Sequence, residues 1–285
     1  DWSIIDMKHQ EFNWKAKDGL DIFAQVWEPD VVLPRAVVCL VHGLGEHSSR
    51  YAHVAEAFSK EGYILFSFDH RGHGRSGGIR GHISSIEDFL QDIDQLLSQA
   101  RTRYPNLPVI LYGHSLGGIL VLNYSLNRKP DIKGVIATSS GLHTALEEQP
   151  VKIFMAKLLG SLMPKTTLPS GLDAKAISRD EAVVQTYNND PLVHDKISLG
   201  FGKIMLGVTQ WTLEHASEFP LPLLLLHGKS DTIAYPSSST EFAAALKDRA
   251  TLVLWDGAYH ELHNEPEKAE VFKTMLMWMD ARLRG

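Results

Sequence analysis

A serine turn flanked by glycines at residues 113–117, Gly-His-Ser-Leu-Gly, constrains this chain more than any other stretch. It follows the apolar run 108–112 and opens into a second apolar run, 118–122. Between a buried strand and a helix, the pattern Gly-x-Ser-x-Gly is a nucleophile elbow, a turn so tight that side chains larger than hydrogen at its two glycines would clash. We therefore expect Ser115 to have a strained backbone and a hydroxyl exposed at the strand tip.

Apolar runs of strand length alternate with helix-like runs along most of the chain. Continuous apolar strands separated by helices indicate a mostly parallel sheet covered by helices on both faces. Residues 9–28 instead alternate polar and apolar side chains around Asp18 and Gly19, which predicts a hairpin at an antiparallel edge of the same sheet. The predicted strands are 36–41, 63–68, 108–113, 133–138, 222–227 and 250–255, and the predicted helices are 51–61, 86–103, 116–128, 237–248 and 266–283.

The stretch 142–218 interrupts this alternation, because it is helical in pattern, contains four prolines and separates two strands that should be neighbours. We interpret it as a helical cap inserted over the C-terminal edge of the sheet, where doubly wound folds bind their ligands. The core would then consist of residues 1–141 and 219–285. Within the cap, the apolar segment 151–163 predicts either a lid helix that dips into lipid or lines an acyl channel, or a helix packed on the core.

Two polar residues complete a possible catalytic constellation with Ser115. A serine hydroxyl is a poor nucleophile until a neighbouring base, itself oriented by an acid, removes its proton. In α/β-hydrolases these residues follow in the order Ser, Asp or Glu, His, each on a loop beyond a strand. Asp231 and His260 each follow an apolar run in that order. We expect Ser115 to be the nucleophile, His260 the general base and then acid, and Asp231 the orienting carboxylate. His263 is a competing base that lies farther from the strand end.

The same chemistry requires backbone N–H groups aimed at the oxyanion of the tetrahedral intermediate. One donor is expected from Leu116, directly after the nucleophile. The second is expected from the loop after strand 36–41, which reads His-Gly-Leu-Gly at 42–45. Leu44 is the candidate there, since its flanking glycines let the loop approach closely. These two amides form the predicted oxyanion hole.

Composition excludes several other functions. The 28 basic and 34 acidic residues give a net charge of −6 without long runs of one sign, which argues against a nucleic-acid partner. The histidines lack the H-E-x-x-H pattern and accompanying cysteines, so no metal site and no cofactor are expected. The single cysteine, Cys39, lies in an apolar run and is expected to be an inert core residue.

The sequence also bears on location. No apolar segment approaches the roughly twenty residues needed to cross a bilayer. No basic-then-apolar leader is visible at the start of the sequence. We expect a cytoplasmic or peripherally membrane-associated protein, and the oligomeric state stays open.

With the elbow, triad and cap placed, the chain resembles the monoacylglycerol lipase family of the α/β-hydrolase superfamily from about residue 12 to 282. The motifs that carry this resemblance are His-Gly-Leu-Gly-Glu-His at 42–47 with Arg50 and Tyr51, the elbow itself, Tyr-Asn-Asn-Asp-Pro-Leu at 187–192 and Gly-Ala-Tyr-His-Glu-Leu-His at 257–263. The resemblance implies an α/β-hydrolase fold with a cap. It also implies cleavage of monoacylglycerols to glycerol and fatty acid through an acyl-enzyme, without a cofactor.

The family's glycerol-binding residues transfer to five matching positions. The resemblance implies that the glycerol end of the substrate is bound by Glu46, Arg50, His114, Tyr187 and His263. A small polar pocket below an apolar channel would select monoesters, because larger glycerides would leave its polar groups unpaired. Without the resemblance, Glu46 and Arg50 could equally form a surface salt bridge. Tyr187 could equally be a core tyrosine.

The sequence departs from the family pattern at three positions. Leu116 stands where the family often has Met, and Leu44 stands where it often has Ala or Ser, which could narrow the acyl pocket. His194 occupies the place of a cap cysteine found in mammalian members. A lipid ester substrate and transient contact of the cap with a membrane or micelle are the expected partners.

Three alternatives to a monoacylglycerol lipase stay open. A broader carboxylesterase and a lysophospholipase share most of the pattern. A non-catalytic hydrolase-fold binding protein would usually have lost a member of the triad, and here all three residues are present. Acyl length and the choice between 1- and 2-monoesters are not encoded in any motif.

Overall fold

A computed structural model of the chain describes residues 7–30 and 32–284. The first six residues and Gly285, which belong to the predicted core segments, lie outside the described residues. The strands are β1 (Met7–Lys15), β2 (Asp21–Pro29), β3 (Ala36–Val41), β4 (Tyr63–Phe68), β5 (Val109–His114), β6 (Gly134–Thr138), β7 (Thr167–Pro169), β8 (Lys196–Ser198), β9 (Leu223–Gly228) and β10 (Ala250–Trp255). The helices are α1 (Ala52–Lys60), α2 (Ile86–Arg103), α3 (Leu116–Arg128), α4 (Pro150–Leu162), α5 (Glu181–Asn189), α6 (Leu199–Glu214), α7 (Ser237–Leu246) and α8 (Lys268–Leu283).

Eight of these strands form one sheet in the order β1-β2-β4-β3-β5-β6-β9-β10. The strands from β4 to β10 in this order run parallel, whereas β2 is antiparallel to both of its neighbours. The fold is therefore the predicted α/β fold with a mostly parallel central sheet. The hairpin predicted at residues 9–28 is confirmed, and Gly19 in its turn has a φ of +84°.

The two faces of the sheet bury separate apolar clusters, because side chains alternate along each strand. In β3, Val37, Cys39 and Val41 belong to one cluster, and Val38 and Leu40 belong to the other. Helices cover both faces, so the central strands are apolar on both sides, which is why they read as continuous apolar runs.

The predicted element boundaries agree with the structure to within one or two residues. Strands β5 and β9 begin one residue later than predicted, directly after Pro108 and Pro222. Proline has no N–H group to donate to the ladder, so the strands begin after it. Helix α2 begins at a capping box, in which the Ser85 hydroxyl accepts from the backbone of Glu87 and the Asp88 carboxylate accepts from the backbone of Ser85.

The stretch 142–218 lies between β6 and β9, which pair in parallel as neighbours. It contains α4, α5 and α6, as its helical pattern indicated, together with a short antiparallel pair, β7 and β8, that was not predicted. Helix α4 packs against α6 and exposes apolar side chains at Val151, Phe154, Leu158 and Leu162. Within the described ranges, no helix combines the length and apolar character needed to cross a bilayer.

We predict opposite effects of two Gly→Ala substitutions on stability. A Cβ atom at Gly117 would lie 1.9 Å from the Val41 carbonyl oxygen, so Gly117→Ala should cost about 1–3 kcal/mol of unfolding free energy. A Cβ atom at Gly207, in α6, meets nothing within 4 Å. Gly207→Ala should therefore raise stability by up to about 1 kcal/mol. Denaturant unfolding measures both, and equal effects of the two substitutions would contradict this packing at the turn.

Candidate active site

Ser115 lies in the turn between β5 and α3, and its backbone is strained. Its φ of 54° and ψ of −113° are rare for a residue with a side chain. The turn is closely packed, because a Cβ atom at Gly113 would lie 2.2 Å from the Gly117 carbonyl oxygen. The expected strain at Ser115 and the need for glycine at both flanking positions are thus present in the structure.

The three predicted triad residues meet at one edge of the sheet. The Ser115 Oγ atom lies 2.9 Å from His260 Nε2, and His260 Nδ1 lies 2.7 Å from Asp231 Oδ2. Because a carboxylate only accepts, the Nδ1–H group donates to Asp231 and the Nε2 lone pair faces the serine hydroxyl. This tautomer is the one that can remove the proton of Ser115. The competing base, His263, makes no hydrogen bond to Ser115 or to Asp231.

The Asp231 carboxylate is held in place by its own loop. Its Oδ1 atom accepts from the backbone N–H groups of Ile233 and Ala234, at 2.9 and 3.0 Å. His227 Nε2 lies 3.2 Å from Oδ2. Burial opposes ionisation, but the charge of His260 and the hydrogen bonds from the two histidines outweigh it and lower the pKa of Asp231 well below its ordinary value. The carboxylate therefore stays charged beside the imidazole.

His260 is buried, and burial alone would lower its pKa. The charge of Asp231 and the hydrogen bond to it outweigh burial, so the pKa of His260 lies above its ordinary value. His114, whose ring centroid lies 4.9 Å from that of His260, behaves differently. Burial and the neighbouring His260 lower the pKa of His114 to about 3, so it is neutral. One basic imidazole therefore faces the serine hydroxyl.

The backbone amides proposed for the oxyanion hole flank the serine. Leu116 is the first residue of α3, so its N–H group has no acceptor within the helix. The Leu44 N–H group donates to no acceptor among the described residues. The Leu44 loop approaches the nucleophile closely, since a Cβ atom at Gly43 would lie 3.3 Å from the Ser115 Cβ atom. Both N–H groups are free to donate to a ligand oxygen.

Two of the predicted glycerol-binding residues are bound to other protein groups. Arg50 is buried and pairs with Glu46 at 2.6 Å and, through two N–H groups, with both oxygens of Glu261 at 2.7 Å. The Glu46 carboxylate also accepts from the Tyr51 hydroxyl and the Gly43 N–H group, both at 2.7 Å. These two residues therefore belong to an internal ionic network. They do not form the surface salt bridge considered above, and their charged groups are not free to bind a ligand.

The two carboxylates of this network differ in acidity. Burial raises the pKa of Glu46, and the neighbouring Glu261 adds to the rise although Arg50 opposes it. For Glu261, the charge of Arg50 and its hydrogen bonds outweigh burial and lower the pKa to about 2. Glu261 is thus the firmly ionised partner of Arg50, and Glu46 is the carboxyl that more readily takes up a proton.

The other three predicted glycerol-binding residues retain free polar atoms. The Tyr187 hydroxyl makes no hydrogen bond within the described part of the chain, and the Arg50 guanidinium lies 4.8 Å from its ring centroid. His114 uses Nδ1 in a 3.0 Å hydrogen bond to Thr138 and leaves Nε2 available. His263 is fully buried against Tyr51 and His114, and neither of its ring nitrogens has a partner among the described residues.

A small cavity lies directly over Ser115 and His260. Leu44, Glu46 and His114 line it from the core, and Leu172, Ile177 and Tyr187 line it from the stretch 142–218. Its volume is about 10 Å³, which is room for about one water molecule. The inserted stretch therefore closes the site against anything larger in this conformation.

The inserted stretch is bonded to the loop that carries Leu44. His47 Nε2 donates to Asp190 Oδ2 at 2.8 Å, and the His194 backbone N–H group donates to the Gly45 carbonyl at 2.9 Å. The His194 ring also donates to the Gly72 carbonyl at 3.0 Å. His194, which replaces the mammalian cap cysteine, thus connects the insertion to the core.

Several residues of the site were not predicted from the sequence, among them Leu172 and Ile177 in the cavity wall and two ionisable residues. Glu261, which lines the cavity and pairs with Arg50, directly follows His260, and a charge beside a predicted base could have drawn attention to it. His227, which contacts Asp231, stands at the end of β9 and carries no comparable signal. No cluster of possible metal ligands occurs within residues 7–30 and 32–284.

Comparisons with known proteins agree with this fold. A family model described as "Serine aminopeptidase, S33" matches residues 33–267. A monoacylglycerol lipase from Mycolicibacterium smegmatis is 35% identical over 98% of this chain and 100% of its own length. The crystal structure of a monoacylglycerol lipase from Paleococcus ferrophilus is 33% identical, with a TM-score of 0.81 over 97% of this chain and 99% of that one.

A further relative is much longer than this chain. An uncharacterized abhydrolase domain-containing protein from Dictyostelium discoideum is 42% identical over 96% of this chain, which spans 29% of that protein's length.

The parallel sheet, the serine elbow and the order of the three polar residues define an α/β-hydrolase, and the chain is a carboxylic ester hydrolase of that class. Within the class, it belongs to the monoacylglycerol lipase family.

The pKa of His260 predicts how the reactivity of Ser115 depends on pH. A protonated imidazole cannot accept the serine proton, so labelling by a fluorophosphonate should slow as pH falls through the His260 pKa. Since that pKa lies above its ordinary value of 6.5, the midpoint should lie above pH 6.5.

Asp231→Asn removes the charge that raises the pKa of His260, and should slow labelling by about 10⁴-fold. Labelling rates by gel fluorescence measure both effects, with Ser115→Ala as the unlabelled control; a rate independent of pH would contradict the assignment of the base.

Proposed function

We propose that this protein hydrolyses monoacylglycerols to glycerol and a free fatty acid, with Ser115, His260 and Asp231 as its catalytic triad. The observation that carries the proposal is the 2.9 Å contact between Ser115 Oγ and His260 Nε2 at the floor of a cavity with apolar and polar walls. The relatives named monoacylglycerol lipase, which match this chain over nearly their full length, support the choice of substrate.

The reaction follows from the proton positions at the triad. Ser115 Oγ attacks the ester carbonyl carbon while its proton passes to His260 Nε2, and the N–H groups of Leu44 and Leu116 receive the developing oxyanion. Each such donor is typically worth about 3–4 kcal/mol of barrier. Collapse of the intermediate breaks the bond to the glycerol oxygen, which takes the proton from His260. A water molecule then attacks the acyl-enzyme by the reverse proton path and releases the fatty acid.

The polar wall of the cavity accounts for selection of monoesters. We assign the free Tyr187 hydroxyl and His114 Nε2 as direct partners of the two glycerol hydroxyls, with the unpartnered His263 beside them. Glu46 and Arg50 act as a charged frame, because Glu261 and Tyr51 already occupy their hydrogen-bonding groups. A second acyl chain on the glycerol would place apolar groups against these buried polar atoms at a high desolvation cost.

The inserted stretch serves as a cap in this proposal. We assign residues 142–218 to the cap, and 1–141 with 219–285 to the core. A cavity of about 10 Å³ cannot hold an acyl glycerol, so the cap must move to admit substrate. After closure, the water-poor cavity would strengthen the interactions with the oxyanion.

The choice of substrate is tested by comparing fatty-acid release from monooleoylglycerol, triolein and lyso-phosphatidylcholine. We expect the monoglyceride to be cleaved at least about tenfold faster than the others, since a missing polar partner costs about 1–3 kcal/mol. Ser115→Ala should lose activity on all three. Comparable rates on the three substrates would indicate a broader esterase or a lysophospholipase. A wild-type protein without activity on any of them would indicate a binding protein.

A matched pair of substrates separates the polar pocket from the catalytic residues. Tyr187→Phe should lower kcat/KM for monooleoylglycerol by about tenfold, because it removes one hydrogen-bonding hydroxyl. Its effect on a nitrophenyl ester, which has no glycerol, should be small. An equal loss on both substrates would show that Tyr187 does not recognise glycerol.

We also propose that α4 contacts the membrane or micelle that holds the substrate. Its side chains at Val151, Phe154, Leu158 and Leu162 are 49–74% exposed and recur at helical spacing on one face, and Met163 continues the patch. An exposed apolar helix face of this kind inserts into the boundary between headgroups and acyl chains. If this face of α4 packed on the core, its apolar side chains would be buried, whereas they are exposed.

A vesicle-binding assay tests this surface. Phe154→Ser with Leu162→Ser should weaken cosedimentation with phosphatidylcholine vesicles by at least about tenfold, because each substitution removes up to about 1.5–3 kcal/mol of apolar burial. Met277→Ser, on α8, removes an equally exposed apolar side chain away from the cap and is the matched control. Unchanged binding of the double variant, or equal loss in the control, would rule out α4 as the contact.

A further inference from the structure

The loop between β10 and α8 carries His260, and we call it the histidine loop. It is bonded to the rest of the protein on two sides. On the core side, Arg50 pairs with Glu261, and His53 Nε2 donates to the His263 carbonyl at 2.8 Å. On the other side, the Glu261 N–H group donates to the Ile177 carbonyl of the inserted stretch at 2.7 Å. The base is therefore held partly by the segment that closes over the cavity.

One side chain of that segment makes a strong ionic contact with the histidine loop. The Arg179 backbone N–H group donates to Glu265 Oε1 at 2.7 Å, and its Nε–H group donates to Glu265 Oε2 at 2.5 Å. The guanidinium also pairs with Glu267. The Glu265 side chain is only 1% exposed, so its carboxylate is bonded to protein groups and not to bulk water. Next to it, the Ser178 hydroxyl donates to the Asn264 carbonyl at 2.9 Å.

Arg179 makes these contacts without touching the reaction site. It does not line the cavity, whereas Ile177, two residues earlier, and Tyr187, in the helix that follows, both do. The contact of Arg179 with Glu265 therefore joins a wall of the cavity to the histidine loop. The backbone contact between Glu261 and Ile177 and the Ser178 hydroxyl join the same wall and loop.

We propose that Arg179 is a positioning residue for the general base: its ion pair with Glu265 sets the position of the His260 loop when the insertion closes over substrate. Catalysis needs His260 within hydrogen-bonding reach of both Ser115 and Asp231, and a displacement of about 1 Å can cost about 10²-fold in rate. This role rests on the proposed function, since it requires His260 to act as the base.

The test compares Arg179→Gln with Arg128→Gln. Arg128 has the same side-chain exposure, 31%, and also pairs with two carboxylates, Glu87 and Asp94, but these lie on α2. Kinetics on nitrophenyl butyrate are normalised to sites titrated with a fluorophosphonate, and thermal unfolding checks that each variant is folded. We expect Arg179→Gln to lower kcat by about tenfold with KM nearly unchanged, and Arg128→Gln to change neither.

A conservative variant keeps the role distinguishable from a loss of stability. Arg179→Lys retains the charge but lacks the planar guanidinium that bonds Glu265 and Glu267 together, so its kcat should lie between those of the wild type and Arg179→Gln. A wild-type kcat per titrated site in Arg179→Gln, or a rise in KM alone, would overturn the positioning role while leaving the proposed function intact. A wild-type protein that neither reacts with fluorophosphonate nor cleaves the ester would overturn both.

Discussion

The close backbone packing at the Ser115 turn is the constraint on which the rest of the site depends. The end of β5, the start of α3 and the end of β3 meet with no room for a side chain at Gly113 or Gly117. This contact keeps Ser115 in a conformation that a free chain would avoid, and the surrounding sheet supplies the energy that holds it there. In the proposed mechanism, the hydroxyl, the Leu116 amide and the Leu44 loop are held in place before any ligand binds, which is the preorganisation that acyl transfer requires.

The surroundings raise the pKa of His260 and lower the pKa of its two ring neighbours, His114 and His263. Asp231 is held ionised on one side of His260, whereas His114 and His263 are buried without a carboxylate bonded to either ring, and burial lowers the pKa of each. The buried pairing of Arg50 with Glu261 anchors the loop of the base to the core. The cost of burying these charges is offset by the hydrogen bonds that Arg50 donates to both carboxylates. The charged residues around His260 thus set its pKa and also hold its loop in place.

The insertion contributes to the geometry of the site as well as covering it. It is bonded to the loop that carries Leu44 through Asp190 and His194. It is bonded to the histidine loop through Ile177 and Arg179. Helix α5 lies between these two sets of contacts and carries Tyr187 over the cavity. The insertion and the two loops beside the site are therefore joined by direct hydrogen bonds in this structure.

The sequence by itself determined the order of the strands along the chain, the elbow and the chain order of the three triad residues. These follow from local pattern, because apolar runs, glycine pairs and the residues after strand ends are readable over a few positions. Only the tertiary structure decided that Glu46 and Arg50 are bound internally, that Glu261 completes their network, that β7 pairs with β8, and that Arg179 reaches Glu265. Apart from the Glu46–Arg50 pair, which spans four positions, these contacts join residues far apart in the chain, and their partners are selected by packing and charge in three dimensions, which no local pattern records.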